Sequence, residues 1–349
     1  MLYHKIILYV SLLLAALSLA SCDGFIYRDE GDCTPSYALR LKYDHNIKFA
    51  DAFASEVTEV TVYFFDRDGN LVYTKSENID RLAANGNRMT VDVDPGVYDI
   101  VAWAHSEHRD AVGFSYTGPG TFNGLGDIHR RLDRKAPSAN GPEATPYVDT
   151  DLHGLYHARV RQARFPDEEG LHETTLSFVK DTNVVRVLLQ QVNGRPLDAS
   201  EFDFYLTSEN GALDHDNGLK ADELITYRAW SKQSGTAGMD VPDTRDGGTI
   251  SQVSAVVAEM TTSRMVLSRP VTLVVTHRDR TEPIIRIPVI DYALMVKGNY
   301  RHDMTDQEYL DRQDEYPMVF FLDDNRQWAT QAGIYINSWH VVLNDTDLE

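Results

Sequence analysis

From Tyr37 onward, apolar and polar positions alternate with a period of two, the repeat of a strand with two different faces. Val60, Val62 and Phe64 fall on one side of such a strand, and Thr61, Tyr63 and Phe65 on the other. The stretch Asp66-Arg67-Asp68-Gly69-Asn70 then predicts a hairpin turn, where glycine or asparagine supplies the positive φ, and Leu71-Val72-Tyr73 starts the return strand. Met89-Thr90-Val91-Asp92-Val93 predicts the next strand, and Asp94-Pro95-Gly96 the turn after it. The strand that follows puts Tyr98, Ile100 and Ala102 on one face and Val101 and Trp103 on the other. Short strands at this spacing, separated by such turns, predict an antiparallel sandwich.

Residues 105–150 break the pattern. They are rich in Gly, Pro, His and Asp and read as a long loop or a decorated edge. Alternation resumes near Thr174, through Val185, Val187 and Leu189, then Val271, Leu273 and Val275, then Ile285, Ile287 and Val289. Residues 208–250 read as loop-rich. Thr305-Asp306-Gln307-Glu308 is a capping box and predicts one short late helix over Tyr309–Glu315. Met318–Leu322 and Ile334–Leu343 read as closing strands. No repeat of 20–50 residues is present, which argues against a solenoid or propeller. The expected fold is all-β, with antiparallel β-sandwich domains in tandem. The polar stretch Arg161–Glu173 places the domain boundary, giving 37–165 for the first and 166–349 for the second.

The N-terminus follows different rules. Ile6–Ala20 is too short for a membrane span, which needs roughly 20 apolar residues, and it follows a short region with one lysine, Lys5. It has the form of a signal-peptide core. Leu19-Ala20-Ser21-Cys22 then matches a bacterial lipobox: a branched apolar residue, two small ones and the cysteine. Cleavage is expected between Ser21 and Cys22, so that residues 1–21 are the signal, with a diacylglyceryl group of palmitate-like chains on the Cys22 sulfur. Two or more acyl chains hold a protein on a membrane for its lifetime. Residues 22–36, with Arg28, Asp29, Glu30 and Asp32, read as a tether. The chain has two cysteines, so lipidation of Cys22 leaves Cys33 without an intrachain partner.

Charge narrows the partners. The chain carries a formal net charge of -20, and losing residues 1–21, which hold Lys5 and no acid, makes it -21. Such a surface repels nucleic acid, so no nucleic-acid partner is expected. The search for chemistry returns fragments only. Asp66–Asn70 begins like a calcium loop, but Leu71 stands where the sixth-position glycine belongs. Asp214-His215-Asp216-Asn217-Gly218 has its glycine one place early and reads as a turn. His153 and His157 have the spacing of a zinc pair on a helix, yet no glutamate follows His153 and Gly154 weakens a helix there. His108-Arg109-Asp110 has no glycine-rich phosphate loop to serve. No catalytic, cofactor-binding or metal-ligating residue is expected, and no cofactor. Such a chain suits attachment or assembly, where an exposed sheet edge accepts a partner's strand.

Several segments, taken in order, resemble one family. They are the lipobox ending at Cys22, Cys33 after a short acidic segment, LRLKYDHNIKFADAF from Leu39, VTVYFFDRDGNLVY around Val62, PGVYDIVAWA from Pro95, YLDRQDEY from Tyr309, and the closing Ile334–Val342 with Trp339. Together they resemble the anchor subunits of type V fimbriae, the FimB-like fimbrillin-anchoring lipoproteins. The resemblance implies two transthyretin-like sandwich domains and lipid attachment to the outer membrane, facing outward. It also implies a role at the base of a fimbria (pilus), holding a fimbrial shaft subunit and limiting fibre growth. The alternative is a surface glycan-binding lipoprotein or a fimbrial tip adhesin, which would present Trp103, Trp230, Trp328 and Trp339 as an exposed aromatic row.

Overall fold

The computed structural model describes residues 34–106, 113–116, 124–137, 145–238, 252–280, 282–300 and 303–341. The expected signal segment, Ser21, Cys22, Cys33 and His108-Arg109-Asp110 lie outside them.

The alternation at the start of the chain folds as β1 (Pro35–Lys42), α1 (Phe53–Glu56), β2 (Glu59–Phe65), β3 (Leu71–Asn78), α2 (Ile79–Ala84), β4 (Arg88–Val91) and β5 (Gly96–His105). Next come β6 (Phe114–Tyr116), β7 (His129–Leu132) and β8 (Tyr147–Val148), then β9 (Leu155–Phe165), β10 (Gly170–Ser177) and β11 (Val179–Lys180). The chain continues through β12 (Thr182–Gln191), β13 (Phe202–Ser208), β14 (Ala212–Asp214), β15 (Ile225–Arg228), β16 (Ser231–Gly238), β17 (Gln252–Ser263), β18 (Thr272–His277) and β19 (Pro283–Pro288). It ends with α3 (Val289–Leu294), α4 (Asp306–Arg312), β20 (Glu315–Leu322), β21 (Ile334–Ile336) and β22 (Trp339–Val341).

These strands make two sandwiches in tandem. In the first, the sheet β10-β1-β4 lies over the sheet β11-β9-β5-β2-β3. Leu39 and Leu41, Val60, Val62 and Phe64, and Ile100 and Ala102 fill the space between them. In the second, β16-β17-β12-β20-β21-β22 faces β19-β18-β13-β15-β8 around Val185, Val187, Leu189, Phe202 and Phe320. The β2–β3 hairpin forms at the expected turn. Asp66 Oδ1 accepts from the amides of Asp68 at 2.9 Å and Asn70 at 2.8 Å, and Gly69 takes φ +82.

Five expectations need correction. Most pairings are antiparallel, but β1–β10, β12–β20 and β8–β15 are parallel. The late helix is α4, capped by Thr305 Oγ1 accepting from Glu308 N at 3.1 Å, and it stops at Arg312 because Glu315 already belongs to β20. The expected single strand from Ile334 is a hairpin, β21–β22, turned by Asn337 and Ser338 at φ 48 and 70. The stretch Arg161–Glu173 is no linker, since β9 ends and β10 begins within it. A boundary at 165/166 would part β10 from its partner β1, and we place the division after Lys180, where β11 ends its pairing with β9 in the first sandwich. Finally, the described residues within 105–150 are structural. They supply Ile128 to a third cluster against the outer face of the β5 sheet, and Leu132 and Val148 to the second core.

Candidate functional site

For a protein expected to act by holding, the relevant geometry is the junction between its parts and the edges it leaves open.

The junction has two latches. At the first, Lys180 Nζ lies 3.0 Å from Glu56 Oε2 and 2.9 Å from Asp314 Oδ2, so one ammonium ties α1 to the start of β20. Burial works against that charge, but the Asp314 and Glu56 carboxylates outweigh it and hold the ammonium above its usual range. The Tyr156 hydroxyl donates to Glu56 Oε2 at 2.9 Å, and its ring meets that of Tyr43 edge-on at 5.2 Å. Ile47 N donates to the Arg312 carbonyl at 2.8 Å, and Arg312 Nη1 donates to the carbonyls of Asp44 and Asn46. A polar cleft of about 590 Å³ opens between these groups, lined by Tyr43, Asn46, Lys48, Glu56, Lys180 and Asp314 among others.

The second latch is the turn Asp214-His215-Asp216-Asn217-Gly218. Asp214 Oδ1 accepts from the amides of Asp216 and Gly218, each at 2.8 Å, and the rigid turn is gripped from both sides. From β9, His157 Nε2 donates to the His215 carbonyl at 3.1 Å, and Arg159 and Arg161 pair with Asp216. Asn217 Nδ2 donates to the buried Asp181 at 2.8 Å, while Arg264 donates to the Asn217 carbonyl and holds Asp311 with two nitrogens. Burial pushes His157 down to about 3 and Asp181 up to about 7, the latter against the pull of Arg264. His157 also packs on the Trp103 ring at 4.5 Å, with the Arg130 guanidinium 5.4 Å from that ring. A Cβ at Gly154 would meet Ser106 Oγ, which would have to turn away from the Gly154 amide it accepts from.

The open edges differ in how they are protected. β19 begins and ends in proline, which removes donors from its ladder. β3 and β4 are tied across the sandwich by Lys75 Nζ donating to the Thr90 carbonyl at 2.7 Å. β16 is tied in the same way, by Lys232 Nζ donating to the Phe202 carbonyl at 2.6 Å and by Ser234 Oγ accepting from Ala199 N at 2.8 Å, while β10 carries no proline and no such tie across the sandwich among the described residues. β10 exposes most of its side chains, including Leu171 at 62%, and β16 exposes Gln233, Ser234 and Gly235.

The histidine and tryptophan candidates of the sequence do not assemble into a site among the described residues. His153 and His157 do not share a helix, since His157 sits inside strand β9 and is committed to His215. Among the described residues, no three His, Cys, Asp or Glu side chains gather to hold a metal ion. The tryptophans form no exposed row. Trp103 is buried, Trp328 packs on Phe320 at 5.7 Å, and Trp230, expected at the surface, is half-buried with Nε1 donating to Thr261 Oγ1 at 3.1 Å. Only Trp339 of the four is exposed, at 45%. The latches were not found from sequence, because Lys180, Arg264 and Asp311 carry no motif.

No helix among the described residues is long and apolar enough to cross a membrane. The family model for fimbrillin-A associated anchor proteins Mfa1 and Mfa2 matches residues 29–345. A solved structure of a candidate adhesin from Bacteroides thetaiotaomicron is 32% identical, covers 90% of this chain and 100% of that one, and superposes with a TM-score of 0.73. A candidate polysaccharide-binding protein from the same organism is 26% identical over 89% of this chain and 99% of that one, with a TM-score of 0.72. The fimbrial anchor protein Mfa2 from Porphyromonas gingivalis shares the fold, with 17% identity, coverage of 89% and 100%, and a TM-score of 0.62. A search of curated proteins finds no match.

Proposed function

Because this chain belongs to the family of fimbrillin-A associated anchor proteins, we propose that it holds the base of a fimbria to the cell as an outer-membrane lipoprotein. The observation that carries the proposal is the coincidence of two features. The family match runs over residues 29–345, and a lipobox ending at Cys22 lies just before it. Signal removal between Ser21 and Cys22 and acylation of Cys22 put both sandwiches outside, on a tether. The partner is a fimbrial shaft subunit, joined by strand addition at an open edge. β16 is a long edge strand of the second sandwich, exposed at Gln233, Ser234 and Gly235 and far along the chain from the lipid. Fixed at one end, the protein retains the fibre and stops its growth. It acts without catalysis and without a cofactor.

The test is Cys22→Ala followed by fractionation. The expected result is fibres shed into the medium at normal subunit levels, and retention of fibres by the variant overturns the anchor. Pull-down of the mature chain should recover a shaft subunit. The glycan-binding alternative draws on the description of the polysaccharide-binding relative and would use Trp339 as its exposed ring. Glycan-array binding that disappears in Trp339→Ala would favour it.

A further inference from the structure

We infer that β1 is a mechanical clamp, the strand through which a pull on the membrane end of the chain passes into the fold. The inference rests on the N-terminal attachment proposed above. The Pro35 end of β1 leads back toward Cys22. The other end meets the junction, where Phe178 N donates to the Lys42 carbonyl at 2.8 Å, and Ile47 and Asp44 are held by Arg312. A pull applied at the N-terminus and resisted by the second sandwich therefore runs along the axis of β1, a strand of roughly 25 Å.

That direction sets how the ladder fails. β10 pairs with β1 in parallel over its whole length, from Pro35↔Gly170 to Lys42↔Ser177, and β4 pairs on the other side from Tyr37 to Arg40. A force along the strand loads all these bonds at once, whereas a force across it opens them singly from the end. β10 is also held from behind, because only residues 178–181, which include β11, separate it from β12. Drawing β1 toward the membrane thus slides it against a neighbour fixed to the second sandwich. Side chains resist the slide. Tyr37, Leu39 and Leu41 are buried, and the Tyr37 hydroxyl donates to the Pro166 carbonyl at 2.7 Å. Glu173 of β10 reaches Arg40 on β1 at 3.7 Å and Arg88 on β4 at 2.5 Å, bridging all three strands.

The test is single-molecule pulling of the unlipidated mature chain, residues 22–349, carrying Cys33→Ser so that Cys22 is the N-terminal handle. In one geometry the second handle is the C-terminus, which shears β1. In the other it is Asp94→Cys, an exposed position at the turn beyond β4, next to the Pro35 end of β1, which peels β1 from its tip. Forced opening is set by the unfolding barrier, so the first sandwich should need at least about twice the force in the shear geometry. The length of chain released identifies which sandwich opens. Equal forces in the two geometries overturn the clamp. Glu173→Ala is expected to lower the shear force while leaving the peeling force unchanged, and a drop confined to peeling, or no drop at all, counts against it. A negative result here leaves the lipid attachment untouched, since mass spectrometry of the mature N-terminus decides that separately.

Discussion

The central sheets of the two sandwiches are covered differently. β5 of the first is buried on both faces, with Ile100 and Ala102 in the inner core and Val101 and Trp103 under Ile128 and Leu213. β12 of the second alternates, with Val185, Val187 and Leu189 inside and Arg186 and Leu188 half-buried on the outer face. The second sheet is an ordinary antiparallel-rich layer with one wetted side, while the first needs a lid. That lid comes from Phe114, Leu125 and Ile128 and from β14, which pairs with β7. The first sandwich is therefore completed by chain that also belongs to the second. The two cores are one construction.

The largest test of this difference is Trp103→Ala. Emptying a fully buried indole site under the lid should cost about 3–5 kcal/mol in denaturant melts. Leu188→Ala on the outer face of β12 should cost well under half of that. Equal losses would erase the distinction.

A pH series should separate the buried groups at the junction. His157 has a folded value near 3, below its unfolded 6.5, so its contribution is present above pH 6.5 and is lost as pH falls toward 3. Asp181 has a folded value near 7, above its unfolded 3.8, so its contribution is present below 3.8 and is lost as pH rises through 7. Asp181→Asn should therefore gain stability at neutral and higher pH and none in acid. His157→Phe should flatten the acid limb of the stability curve. Slopes of the opposite sign would show that the junction is wetter than its burial indicates.

Lys180→Met should cost about 1–2 kcal/mol by leaving Glu56 and Asp314 facing each other, a loss reduced by their partial exposure. Calorimetry should then resolve two transitions where the parent shows one. The smallest effect is expected from Arg186→Ala, which breaks a 2.6 Å pair with Glu259 on a half-open face and should change stability by under about 0.5 kcal/mol.

The sequence carried the strands of the sheet interiors well. The runs Val62–Phe65 and Ile100–Ala104 are apolar on both faces, and the two faces of β5 fall where the alternation puts them. What covers the second face was not legible, because Leu125, Ile128, Leu213 and Leu219 are single apolar residues in segments without period. β10 escaped in part for the opposite reason, since an edge strand that shows most of its side chains to water has no apolar face to repeat. Both latches join residues far apart in the chain, Lys180 to Asp314 and Asn217 to Arg264, so no local pattern could reveal them. The turn at Asp214 was readable as a turn, but its role as a peg depends on partners 36 and 47 residues away.

The parallel pairs β1–β10 and β12–β20 also set an order of events. Ser36 meets Gly170 across 134 positions of sequence, and Val184 meets Glu315 across a similar span. Each sandwich is shut by a strand made long after the one it lies beside, so loop closure makes folding slow. A chain threaded through a membrane from its N-terminus would wait, half-finished and sticky, until Ser177 and then Leu322 had emerged.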